Sequence, residues 1–67
     1  MKPDEALLID LSRNVTGATV HQAKNLEYAY RGFCRLSTHG KTEQVRREAS
    51  KSARKIAREI RALISAH

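Results

Sequence analysis

The feature that most constrains this chain is a helical period that runs unbroken through its last third. Val45, Ala49, Ala53, Ile56, Ile60 and Leu63/Ile64 fall within an arc of roughly 100° on a helical projection, the width of a core-facing stripe. Thr42 is placed to cap its start, because a threonine oxygen can accept one of the free N–H groups of the first turn. A helix from about Thr42 to Ser65 would be about 36 Å long at ~1.5 Å per residue. The whole chain has only 67 residues. A chain of that size buries about 60% of the surface its unfolded form exposes. One long helix must therefore find its cover in a short remainder, and the cover is expected to be incomplete.

The remainder reads as two more helices separated by glycine-containing breaks. No stretch sustains a period of two, so no strand is expected. The first helix spans about Pro3 to Val15. Pro3 suits the first helical position, and Asp4 and Glu5 follow where the helix dipole favours negative charge. Leu8, Leu11 and Val15, with Leu7 beside them, form one face, while Ile9 points elsewhere. Gly17 can take a left-handed conformation that ends a helix. The second helix spans about Val20 to Leu36, opened by a capping box of Thr19 and Gln22. Ala23, Leu26, Tyr30 and Phe33 form its inner stripe, with Val20 and Cys34 close by. Gly32 in its interior costs roughly 1 kcal/mol relative to Ala and suggests a close crossing or a slight kink. Ser37 to Lys41 reads as the connecting loop.

The expected fold is thus all-α. It is one domain over residues 1–67, a small three-helix bundle built on a long antiparallel hairpin of the second and third helices. The alanines at 49, 53 and 57 would permit close helix approach. Leftover apolar surface on the first helix, or at the end of the third, would be available to a second copy.

Charge carries the functional signal. Thirteen Lys and Arg stand against seven Asp and Glu, a net +6. Residues 1–19 hold a net −1 and residues 20–67 a net +7. In the third helix Arg47, Lys51, Arg54, Arg58 and Arg61 recur at spacings of 4, 3, 4 and 3, so they share one face, expected opposite the apolar stripe. Lys55 lies on the flank and can pair with Glu59 at i,i+4. The second helix repeats the row more sparsely with Lys24, Tyr28, Arg31 and Arg35. Spaced cations on a helix face meet regular phosphates, and counterion release supplies the affinity. Arginine predominates in these rows, and its planar fork suits phosphate or carboxylate. The plainer alternative is that long charged side chains only solvate the outside of a bundle.

Other signals are weak. One cysteine, Cys34, cannot form an internal disulfide, which favours a reducing, cytoplasmic setting. No apolar run reaches the ~18–20 residues of a membrane span, and the start of the chain lacks a signal-peptide pattern. The third helix offers Ala, Val and Ile rather than bulky anchors for a membrane surface. The first two helices echo the second half of a helix-turn-helix, but Arg13 stands where a small residue normally packs. Cys34 and His21 lie on different faces of one helix, too far apart for nucleophile and base. His21, His39 and His67 show no metal-ligand spacing. No carboxylate pair suggests acid–base work. The expectation is a non-enzymatic regulatory binding protein, with no cofactor, metal, small-molecule substrate or membrane partner. Its basic faces would dock to nucleic acid or to a nucleic-acid-bound complex, with Tyr28 stacking or hydrogen-bonding. The alternative is an inhibitor or adaptor of a larger protein, of a size that phages and mobile elements encode. Leu7, Leu8 and Ile9, with Tyr30, would then make the contact, and arginines would match acidic residues.

Overall fold

The computed structural model describes residues 1–67 and contains three α-helices and no strand: α1 (Glu5–Asn14), α2 (Val20–His39) and α3 (Glu43–Ser65). Helices α2 and α3 form the antiparallel hairpin, and α1 packs against both. The molecule is a rod of 39 × 16 × 15 Å, its long axis set by α3.

Local chemistry explains most boundaries. Thr42, in extended backbone, accepts the Val45 N–H on its hydroxyl oxygen at 3.1 Å. Asp4 does the same for α1, accepting the Leu7 N–H on Oδ1 at 3.2 Å. Pro3 therefore precedes the cap instead of occupying the first helical position. Gly17 does adopt a left-handed φ of +76°. It does not close α1, which ends at Asn14 with Val15 extended. It opens a single 3₁₀ turn, Gly17–Thr19, that feeds α2. The expected capping box is not formed. Thr19 is already helical in backbone, and its hydroxyl donates to the Thr16 carbonyl at 3.1 Å instead.

Helix α2 continues through Ser37, Thr38 and His39, one turn beyond the expected end. The turn to α3 is correspondingly tight. A Cβ on Gly40 would stand 2.7 Å from the Leu36 carbonyl oxygen and 2.9 Å from Val45 Cγ1. Glycine is thus required there by space, with its φ at an ordinary −58°. Arg46 fastens the corner by donating from Nη1 to the Gly40 carbonyl at 2.7 Å.

The core is a spine of small residues flanked by larger ones. Ala53, Ala57 and Ile60 of α3 are buried against Ala23, Tyr30 and Cys34 of α2 and Leu7, Leu8 and Leu11 of α1, with Val15 closing one end, while Ala49 is buried apart from this cluster. The three alanines expected to permit close helix approach are all buried. No buried side-chain nitrogen or oxygen lacks a hydrogen-bond partner. The cover is incomplete, as the length argument required. Leu26, Phe33, Ile56, Leu63 and Ile64 are only partly buried, and Val45, expected in the core stripe, is exposed.

Candidate functional site

The expected site residues separate into three groups once folded. The first has gone into the core. Leu7 and Leu8 are buried, and Tyr30 is 2% exposed, so they cannot form the protein contact that the alternative assigned to them. Only Ile9 remains on the surface. The reason is the shortness of α1, which must give up most of its apolar side chains to cover the hairpin. Tyr30 also has a structural bond, since its hydroxyl accepts the Asp4 N–H at 2.8 Å. Burial pushes its phenol above the usual range. The same cause raises the thiol of Cys34, which is fully buried one turn away.

The second group is basic and already partnered. Arg31 donates from Nη1 and Nη2 to the two Glu5 carboxylate oxygens at 2.8 and 3.1 Å, and from Nε to Glu27 at 3.1 Å. It clamps α1 to α2 with all three nitrogens of its fork. The hydrogen bond from Arg31 holds the Glu5 carboxyl below its usual range, and the two carboxylates raise the guanidinium in turn. Arg31 is therefore a connector in the fold and not a free member of the α2 row. Arg46, outside the row that spacing alone picks out, is another connector. Its signal was legible: it falls three residues before Ala49 and seven before Ala53, on the inner side of the helix. An arginine there has to find a carbonyl or a carboxylate.

The third group is basic and free. The four ion pairs of the molecule join Arg31 to Glu5, Arg31 to Glu27, Arg47 to Glu43 and Arg61 to Asp4. The expected Lys55–Glu59 pair is not among them. Nor do any of the four involve Lys51, Arg54 or Arg58, all exposed on one face of α3. Their two neighbours in the row are lightly held. Arg47 meets Glu43 at 2.8 Å with both side chains more than 70% exposed, and Arg61 lies a loose 4.0 Å from Asp4. Exposed pairs of this kind contribute ~0–1 kcal/mol and are readily exchanged.

The row does not lie squarely opposite the core. It borders the side of the hairpin where the N-terminal segment and α1 sit. Arg54, Arg58 and Arg61 line a shallow groove with Lys2 and Met1. Arg47, Lys51 and Arg54 line a second with Glu43, Ser37 and Ser50, and Arg46 in its wall is tied to the Gly40 carbonyl. Lys2 thus adds a cation that spacing along one helix could not reveal. Asp4 faces Arg61 on α3 and Glu5 faces Arg31 on α2, so the first turn of α1 stands between the α3 row and Arg31. On α2, Lys24, Arg35 and Tyr28 are exposed, Tyr28 at 84%. The arrangement can bind an extended anion along α3 through charge and hydrogen bonds.

Nothing in the structure gathers three or more His, Cys, Asp and Glu side chains close enough to hold a metal ion. No helix is long and apolar enough to cross a membrane. Compared with protein-family models, with curated proteins and with solved structures, the chain matches none.

Proposed function

We propose that the protein is a non-enzymatic binding module that docks a polyanion, nucleic acid foremost, along the exposed basic row of α3. The observation that carries the reading is that Lys51, Arg54 and Arg58 share one face and have no carboxylate partner. Uncompensated cations on one helix face repel one another by a few tenths of a kcal/mol per pair. An anionic partner removes that cost. From Arg47 to Arg61 the row runs about 21 Å at ~1.5 Å per residue, long enough to meet several phosphates of one strand. Lys2 would widen the contact, and Lys24, Arg35 and Tyr28 would form a separate, sparser one. A regulatory role in the cytoplasm, where a lone buried cysteine stays reduced, fits this reading. The adaptor alternative would be an acidic protein surface matching the same arginines, with Ile9 alone of its expected apolar contacts left exposed.

Fluorescence anisotropy with labelled duplex DNA, single-stranded DNA and RNA at two salt concentrations tests the proposal. Binding that weakens steeply with salt is the expected result. Absence of binding to all three at low salt would overturn it.

A further inference from the structure

Which form of nucleic acid suits the α3 row is decided by where the aromatic side chains lie. Proteins that hold single strands stack successive bases on exposed aromatic rings, which adds affinity that charge alone does not supply. The chain has three aromatic residues, Tyr28, Tyr30 and Phe33, and all three belong to α2. Tyr30 reaches the wall of the groove formed by Lys2, Arg54, Arg58 and Arg61. It is 2% exposed, however, and its hydroxyl already accepts the Asp4 N–H, so no base can lie on its ring. Phe33 is half-buried and packs against the core. Tyr28 is the one well-exposed ring, and its groove on α2 shares no residue with either groove of the α3 row. A strand lying along α3 therefore meets cations and serine hydroxyls and no stacking surface.

The edges of the row restrict the mode of contact. Glu48 and Glu59 each follow a row residue by one position, about 100° round the helix. Both are exposed and stand outside the four ion pairs. Lys55, between them in sequence, offsets only one of the two. On the other edge, where α1 sits, Asp4 lies 4.0 Å from Arg61. The favourable lane is thus a single row of side chains wide. A helix seated in a major groove presents base-reading side chains with a phosphate backbone to either side. That pose would turn Glu48 and Glu59 toward phosphate. A helix laid along one backbone keeps both carboxylates aside and gives each cation of the row a phosphate.

Contacts made by charge alone favour the denser charge. A duplex contributes ~0.9 to the salt exponent per phosphate contact and a single strand ~0.7. Over the five cations of the row that difference amounts to about 10-fold in affinity at ~0.1 M salt. We infer that α3 lies along the phosphate backbone of a duplex, which it prefers to a single strand, and that it reads no base sequence. The inference rests on the polyanion reading and narrows it.

Anisotropy competition at ~0.1 M salt tests it, with DNA and RNA duplexes of about 20 base pairs against single strands of about 40 nucleotides, matched in phosphate number. At least one duplex should bind about 10-fold more tightly than the single strand of its own chemistry, and the tighter of the two duplexes distinguishes DNA from RNA. Two such duplexes of unrelated sequence should agree within about two-fold. Tyr28→Ala should leave every affinity unchanged. Single strands that bind as tightly as both duplexes would overturn the inference, as would a loss of binding in Tyr28→Ala. A preference of about 10-fold or more between duplex sequences would also overturn it. Each of these results leaves the polyanion reading standing. Absence of binding to every probe removes that reading, and this one with it.

Discussion

Helices α2 and α3 carry basic residues at the same helical spacing, yet the fold uses them differently. On α2, Arg31 is held by Glu5 at 2.8 Å and Glu27 at 3.1 Å. On α3, Lys51, Arg54 and Arg58 have no such partner. The difference arises from where α1 ends up. Its first turn supplies Glu5 to one helix and only a distant Asp4, at 4.0 Å from Arg61, to the other. Periodicity places a cation on a face. Whether that cation builds the fold or stays free for a ligand depends on the acidic residues that other elements bring to it.

The contrast can be broken most forcefully on α3. Reversing two free charges, Arg54→Glu with Arg58→Glu, should lower affinity for a nucleic-acid probe about 100-fold at low salt, read by anisotropy. Circular dichroism melting should change little, because both side chains are exposed and neither is ion-paired. A structural group on α2 should do the opposite. Tyr30→Phe leaves the Asp4 N–H without its acceptor, which costs about 1–2 kcal/mol, and binding should be unaffected. In a domain this small that is a drop of roughly 5–10 °C in Tm.

Arg46 sharpens the comparison from within α3, since it is a basic residue on the same helix with a structural partner. Arg46→Ala removes the bond to the Gly40 carbonyl and should cost about 1 kcal/mol of stability, with affinity within two-fold of wild type by anisotropy. Arg31→Gln should give a smaller fall in Tm, because both carboxylate partners keep contact with solvent, Glu5 at 60% and Glu27 at 36% exposure. It too should leave binding nearly unchanged.

The smallest effect is that of pH. The Glu5 carboxyl is held below its ordinary value by Arg31, so the folded state binds its proton less readily than the unfolded state does. Its stabilising contribution is complete above the unfolded pKa of about 4.3. It is lost as pH falls through the lower folded value. Thermal melts taken between pH 6 and about pH 3 should show a shallow decline for wild type. Glu5→Gln should remove its part of that decline.

Much of this was legible in the residues. Three helices, the hairpin, the Thr42 cap and the alanine spine follow from period and capping chemistry alone. The Arg31 clamp was not legible, because Glu5 is 26 residues away in sequence and no local rule joins them. The fate of Leu7, Leu8 and Tyr30 was hidden for a similar reason. An apolar helix face is the same sequence pattern whether it meets its own hairpin or a partner. The extra turn of α2 was missed because Ser37, Thr38 and His39 look like loop residues. The structure gives them local partners: the Ser37 and Thr38 hydroxyls bond back to the Cys34 carbonyl at 2.6 and 3.4 Å. Lys2 joined the basic groove only through chain folding.

The most direct test of the central claim is the salt dependence of nucleic-acid binding, compared between the two helices. The slope of log K against log salt counts the phosphates neutralised, at about 0.7–0.9 per contact. Arg54→Ala or Arg58→Ala should each reduce the magnitude of that slope by nearly one contact, and Arg31→Ala should leave it unchanged. If Arg31→Ala flattened the slope as much as the α3 variants do, or if the α3 variants left it intact, the division between a structural Arg31 and a binding row on α3 would be wrong.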